Sequence, residues 1–435
     1  MGYIRLRLFL MMVLQFFIWG AWLPLIFGYL PSLNFSPGEQ GMILNAFPIA
    51  AILGMFFSNQ FADRNFAAER FLAFSHLVGG LALLGLSQVT SFPYFFVLML
   101  VHCLFYVPTI SITNSIAFAN ITDPQKEFGL VRVGGTIGWI MAAWPFTFLL
   151  VNWGQVPPLS DTGFVSWLGN ALGSPLKGPE FRQATALSFV VAGVASLVLA
   201  AYSLTLPHTP PRPAVEGESR LAWLEALKLL GLPFVFVLWC VTFVDAAVHQ
   251  CFFSWAERFL TSRVGIPGNW APTVMSIGQV AEILTMLILG VCLKALGWRT
   301  TMVVGILGHA ARFAVFALAP DYPWLVVSIN VLHGICYAFF FATVYIFVDE
   351  YFPKDIRSSA QGLFNLMILG LGPLVANFVC PWLYDKEFTH DGQVDFKSLF
   401  LVPCMAALVA AAALALFFWP PKSKARVDAE PGEVQ

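Results

Sequence analysis

The sequence predicts an all-α integral membrane protein, with twelve transmembrane helices arranged as two pseudo-symmetric six-helix bundles. Three observations carry that reading. Of 435 residues, 58% are hydrophobic and only 11% charged, where soluble domains carry about a quarter charged residues, and the mean hydropathy is +0.77. The apolar residues gather into windows long enough to cross a hydrocarbon core of about 30 Å, which needs about 20 helical residues. Those windows fall into two sets of six around one polar link. Inside lipid only a helix or a closed barrel satisfies every backbone N–H and C=O, and uninterrupted apolar windows of this length select the helix.

The first set comprises residues 6–30, 38–61, 71–89, 92–118, 128–151 and 183–206, separated by charged or Pro/Gly-rich breaks. The opening window follows Arg5 and Arg7, but it is too long for a signal-peptide core and contains Gln15, Trp19 and Trp22, so it is expected to stay as a helix. The charged turn FADRNFAAERF separates the second and third windows, and the Pro/Gly-rich segment 152–181 the fifth and sixth. The second set comprises 232–260, 270–296, 300–319, 324–347, 361–384 and 399–419, with LKALGWRT between the eighth and ninth windows. Between the sets, PHTPPRPAVEGESR (207–220) combines prolines and charges, the composition of a hinge. The expected organisation is therefore a bundle at 1–206, a linker at 207–231, a second bundle at 232–420 and a tail at 421–435.

Basic residues set the orientation. With both termini and the even-to-odd loops in the cytoplasm, about 15 Lys and Arg lie inside, Arg64, Arg70, Arg220, Lys294 and Lys422 among them, against about 6 outside. Both termini are expected to be cytoplasmic, in a monomer held by the lipid bilayer. The net charge of −1 gives no reason to expect a nucleic acid partner. All seven cysteines sit in apolar windows without zinc-ligand spacing, so neither disulfides nor metal nor other cofactors are expected.

A weak repeat relates the halves. The fifth window starts LVRVGGTIGW and the eleventh DIRSSAQGLF, both reading Arg-x-x-x-Thr/Gln-x-x-aromatic. Duplicated six-helix halves with short basic loops argue for a major facilitator transporter, whose substrate lies between the halves near mid-membrane.

Glu282 is the residue least at home in its surroundings. It sits at the centre of the apolar stretch 272–296, where an unpaired charge costs about 2.5–3.5 kcal/mol on insertion scales. Gln279 lies one turn earlier on nearly the same face, so both point into whatever that helix lines, or else hold an inter-helix hydrogen bond. On the fifth helix Arg132, Thr136 and Trp139 follow i, i+4, i+7 spacing, so one stripe carries a cation, a hydroxyl and a large ring. That trio can bind a base: the guanidinium donates to carbonyls, and stacking on an aromatic is worth about 1–3 kcal/mol per base. Glu282 and Gln279 can accept from vicinal hydroxyls, as a ribose requires. The plainer alternatives are a structural salt bridge for Arg132 and lipid or core packing for Trp139.

Several strings resemble the bacterial nucleoside/proton symporter family: QFFIWGAWLP, YVPTISITNSIAF, RVGGTIGWIMAAW, TLPHTP, MSIGQVAEIL, ARFAVFAL and IRSSAQGLF. The resemblance runs in order along nearly the whole chain. It implies a secondary active transporter importing nucleosides with protons by alternating access. It also implies substrate contacts at Arg132 and Thr136, an aromatic at Trp139, and the glutamine and glutamate of the eighth helix at Gln279 and Glu282. The seventh helix matches poorly: Gln250 could serve, whereas Ala247 offers nothing. On the tenth helix the family's tyrosine, phenylalanine and aspartate fall on His333, Tyr337 and Ala338, so the carboxylate implicated in proton coupling is missing.

His333 and Tyr337 could close the cavity from the side, although a buried histidine bonded to a backbone carbonyl is an equal alternative. Without the family's aspartate, Glu282 is the first proton carrier to consider and Asp245, clustered with His249 and Gln250, the second. Arg312 is expected to pair with a carboxylate or a helix end, and His76, His102 and His309 to be structural. Asp63, Arg64, Glu69 and Arg70 look like the superfamily's cytoplasmic gating loop. No Walker loop, GxSxG or HExxH is present, which argues against an enzyme. A transporter for another small polar solute, such as a sugar or polyol, would keep Glu282 and Gln279 but have less need of Trp139.

Overall fold

A computed structural model of the chain describes residues 3–211, 227–266, 271–352 and 357–420. Most of the linker and the tail (212–226 and 421–435) lie outside them. In the first half run α1 (Tyr3–Ser32), α2 (Pro37–Asn65), α3 (Ala68–Leu86), α4 (Phe92–Asn120), α5 (Pro124–Leu149) and α6 (Gly178–Ser203). The second half has α7 (Pro233–Ser262), then the helical stretch Ala271–Leu318, which turns at Gly297. Gly297 has φ 74 and ψ 171, a conformation open to glycine, so the stretch divides into α8 (271–296) and α9 (298–318). It continues with α10 (Pro323–Tyr351), α11 (357–387) and α12 (Phe396–Phe417). Nine helices among the described residues are long and apolar enough to cross a membrane. The stretch through Gly297 counts once among them, and α2 and α5 have 29 and 26 residues, so the set is consistent with twelve crossings.

Most helices extend a few residues beyond their apolar windows, because a helix end can carry polar residues once it leaves the hydrocarbon. Two connections have structure that hydropathy does not announce. Segment 152–181 folds a short helix, Phe164–Leu172, that buries Ala171 and Leu172. After α11, strands β1 (Thr389–His390) and β2 (Gln393–Val394) form a hairpin across Asp391 and Gly392, both at positive φ, as an Asp-Gly turn requires.

Glycines decide how closely the helices approach. A Cβ on Gly134 would lie 2.5 Å from the Phe9 carbonyl oxygen and one on Gly138 2.0 Å from that of Val13, so α5 lies backbone to backbone on α1 through a small-xxx-small face. On α10, a Cβ at Gly334 would lie 2.2 Å from the Glu282 nitrogen, so α10 presses on α8 at the turn that carries the buried carboxylate.

Two large apolar cores result, with a small third cluster around Leu366 and Met367. One gathers residues of α1 to α6 together with Met286, Leu289 and Leu293 of α8 and Ala338, Phe339, Ala342 and Ile346 of α10. The other is built from α7 to α12. α10 and α11 each contain a π-helical segment, Tyr337–Ala342 and Leu366–Leu371. The second ends just before Pro373, which lacks the N–H that would continue the α pattern.

Candidate functional site

Between the halves lies a cavity with about 1370 Å³ of empty space, walled by α1, α2, α4 and α5 on one side and α7, α8, α10 and α11 on the other. Side-chain bridges bracket it. Toward the end where α1 begins, Asn365 of α11 donates to Ser111 of α4 at 2.7 Å and accepts from the Tyr345 hydroxyl. Toward the opposite end, Asn377 of α11 donates to Asn45 of α2 at 2.9 Å and accepts from Gln250 of α7 at 3.0 Å.

The α5 stripe faces this space, with Arg132, Thr136 and Trp139 all in its wall. Arg132 Nη2 donates to the Tyr337 hydroxyl at 2.8 Å, and its guanidinium carbon sits 4.0 Å from the centre of the Phe16 ring. Arg132 Nη1 has no partner among the described residues. A Cβ on Gly135 would fall 2.5 Å from that Nη1, so only glycine leaves room for the guanidinium as it lies. Thr136 Oγ1 donates to Glu282 Oε1 at 2.8 Å across the two halves. The carboxylate therefore meets a hydroxyl, with the Arg132 charge close enough to act on it.

Gln279 lines the wall one turn from Glu282. Its amide nitrogen, turned to face acceptors, lies 3.0 Å from the Ser276 carbonyl and 3.1 Å from that of Met275, which leaves its own oxygen for a ligand. Gln250, His333 and Tyr337 also reach the cavity. His333 is not bonded to a backbone carbonyl: its Nδ1 faces Arg312 Nη1 at 2.6 Å. That corrects the partner expected for Arg312, which is an imidazole, with the Phe252 ring 4.0 Å from the guanidinium. Ala338 is packed in the first core and adds no surface to the cavity.

Asp245 is fully buried and outside the cavity lining, with Oδ1 2.9 Å from His309 Nδ1. His76 and His102 are buried structural groups, the first between Ser196 and Gln15 and the second against the Gly79 carbonyl. Of the expected gating residues, only Glu69 and Arg70 have described side chains. The side chains of Asp63 and Arg64 lie outside the described residues. Arg70 is exposed, because α3 turns its neighbour Glu69 inward to accept from the Thr209 N–H at 3.0 Å and pair with His208 at 2.8 Å.

Sequence reasoning missed the aromatic platform opposite. Trp19 stacks on Phe47 with ring centres 4.7 Å apart and meets Trp139 edge-on at 5.4 Å. All three line the cavity, and Trp19 Nε1 is a buried donor with no partner among the described residues. A tryptophan one turn after Gln15 was a signal for it, but the pairing with Phe47 needs α1 and α2 side by side.

Comparison with known proteins gives this site its context. A family model described as nucleoside H+ symporter matches residues 2–166 and 159–423. YegT of Escherichia coli K12, to which nucleoside transport is attributed, is 32% identical over 394 residues, covering 89% of this chain and 86% of that protein. The xanthosine permease of the same organism is 28% identical, with 92% of each chain covered. A crystal structure of a mutant nucleoside transporter NupG superposes with TM-score 0.72 at 25% identity, covering 96% of this chain and all of that one. The fold is thus that of the major facilitator transporters, a multi-pass membrane architecture, and the chain belongs to the nucleoside–proton symporter family.

Proposed function

We propose that this protein imports nucleosides across the cytoplasmic membrane together with protons, by alternating access of the central cavity. The observation that carries the reading is Arg132, a cavity-lining cation whose buried Nη1 has no partner among the described residues, in a wall it shares with the Trp19–Phe47–Trp139 rings and the Thr136–Glu282 pair. A base fits against the rings, with a carbonyl accepting from Arg132. The ribose hydroxyls then reach the oxygens of Gln279 and Glu282, with Gln250, His333 and Tyr337 closing the side. The halves 1–206 and 232–420 rock about the linker 207–231 in a monomer, with both termini and the tail 421–435 in the cytoplasm. Glu282 and Asp245 are the carboxylates available for coupling, and the 63–70 turn, with Asp63, Arg64 and Arg70, is the segment to test for gating.

A sugar or polyol carrier would have less need of the Trp19, Phe47 and Trp139 rings that line the same cavity as Arg132. Uptake of labelled uridine into proteoliposomes, competed by nucleosides, free bases and sugars, tests the reading. Nucleosides should compete and sugars should not; uptake of a sugar with no nucleoside uptake would refute it.

A further inference from the structure

From the cavity wall of the second half a chain of ionisable side chains runs inward, and apart from His333 the substrate site does not use it. Asp245 Oδ1 on α7 bonds His309 Nδ1 on α9 at 2.9 Å. His309 Nε2 lies 3.3 Å from His249 Nδ1 on α7. His249 in turn stacks on His333 of α10, ring centres 4.8 Å apart and 21° from parallel. Asp245 and His309 are fully buried, whereas His249 and His333 line the cavity. The chain therefore leads from the cavity surface to a carboxylate inside the half.

The hydrogen bonds fix how a proton can move along it. Arg312 can only donate, so His333 Nδ1 accepts from it and that ring is held neutral, its proton on Nε2. His333 is thus excluded as the carrier. His309 Nδ1 donates to Asp245, which leaves its Nε2 facing His249 Nδ1, and only one proton fits between those two nitrogens. With His309 neutral, that proton is on His249. No described hydrogen bond uses His249 Nε2, whose lone pair is then open to a proton from the cavity.

Among the described residues, other groups around the chain come from three neighbouring helices. α10 brings Cys336 against His309 and Arg312, and Tyr337 near His249. α12 brings the Cys404 thiol, which bonds the Ala310 carbonyl. α11 meets α7 through Cys380 against Cys251 and Asn377 against Gln250. Arg312 supplies one fixed positive charge and Asp245 one negative. Asp245 Oδ2 is buried with no partner among the described residues, a vacancy in hydrogen bonding that a native interior rarely leaves without a role.

We propose that Asp245, His309 and His249 form the proton-binding relay that couples transport, with His249 the port on the cavity and the Asp245–His309 pair the place where the proton resides. His249 Nε2 takes a proton from the cavity, its Nδ1–H bond breaks, and that proton forms the Nε2–H bond of His309. The His309 imidazolium then donates to Asp245 on one side and His249 on the other. One proton has been gained and no other bond has changed. When the cavity faces the opposite side, the same steps reversed release it. The relay reaches the substrate site through α10, where His333 stacks on His249 and Tyr337, one turn on, accepts from Arg132. This ranking, which places Asp245 ahead of Glu282, rests on the reading of the chain as a proton-coupled transporter. Glu282 instead lies in the substrate wall, where it accepts from Thr136 across the two halves and its oxygens are within the cavity that substrate hydroxyls would enter.

Two measurements on the full-length protein test it. In detergent without substrate, proton uptake is titrated between about pH 9 and pH 5, a range that spans histidine ionisation and its usual perturbations. Asp245→Asn and His309→Gln should each alter this uptake, one proton being lost or displaced from its wild-type midpoint. In proteoliposomes, the same variants should lose gradient-driven uridine accumulation by about tenfold or more, within the range of coupling between sites, and lose far less of uridine–uridine exchange. His249→Phe, which removes the port and keeps the buried pair, should slow gradient-driven uptake and serves if the Asp245 variant does not fold. A monodisperse His309→Gln protein with wild-type proton uptake and wild-type accumulation would overturn the relay. If the wild type carries no nucleoside, the nucleoside reading fails while the proton titration still decides the relay.

Discussion

Replacing Arg132 by alanine removes the side chain on which the proposed site turns. The change deletes the hydrogen bond to Tyr337, the stacking over Phe16 and a cationic donor of the cavity wall that has no partner among the described residues. A hydrogen bond from a charged group is worth about 1.5–3 kcal/mol, and each 1.4 kcal/mol is tenfold in affinity, so uridine binding should weaken by roughly 10- to 150-fold. Equilibrium binding of labelled uridine to detergent-purified protein measures this, with a thermal melt to establish folding. Arg132→Lys keeps the charge but not the planar fork, so it should recover only part of the loss. Alanine also leaves Glu282 without its neighbouring charge. Adding Glu282→Gln to Arg132→Ala should therefore restore melting temperature without restoring affinity. A folded Arg132→Ala protein that binds uridine within about twofold of wild type would refute the reasoning, since that is under 0.5 kcal/mol.

Glu282→Gln alone should weaken uridine binding by about tenfold or more, roughly 1.4 kcal/mol, by removing a carboxyl oxygen acceptor beside Thr136, as read by the same binding assay. Trp139→Ala should cost about 1–3 kcal/mol of binding, the value of one stacked base, and Trp139→Phe much less. Gly138→Ala places a methyl 2.0 Å from the Val13 carbonyl oxygen and should force α1 from α5, lowering the melting temperature through overpacking of about 1–3 kcal/mol. At the start of α12, Asp395 accepts from the Ser398 N–H at 3.1 Å, and the hydroxyl and N–H of Ser398 hold its carboxyl below the usual range. A carboxyl so depressed stabilises the fold above its unfolded pKa of about 3.9, and that stabilisation disappears as pH falls through the folded value. Asp395→Asn should therefore flatten the acid limb of a pH series of thermal melts.

The helices were legible because the bilayer leaves the backbone few options: each apolar window had to become a helix, and each did within a few residues among those described. The Arg132, Thr136 and Trp139 stripe was legible for a similar reason, since i, i+4, i+7 spacing puts three side chains on one face whatever the neighbours are. What they face was not. The Trp19–Phe47 stack joins α1 to α2, and the partner of Arg312 comes from α10, so neither pairing leaves a local trace. Hydropathy also gave no warning of Phe164–Leu172 or of the hairpin at 389–394, although Asp391-Gly392 between alternating residues was a turn signal in plain view. Asp245, His249 and Gln250 stood out as a polar cluster, yet their division into a relay and a cavity wall depends on His309 arriving from α9.

A structure of the protein with uridine bound tests the central claim most directly. The account predicts uracil against Trp139 and Trp19 with a carbonyl oxygen within hydrogen-bond distance of Arg132, and ribose hydroxyls on Glu282 and Gln279. Uridine seated elsewhere, or in the cavity with Arg132 and Glu282 both untouched, would contradict it.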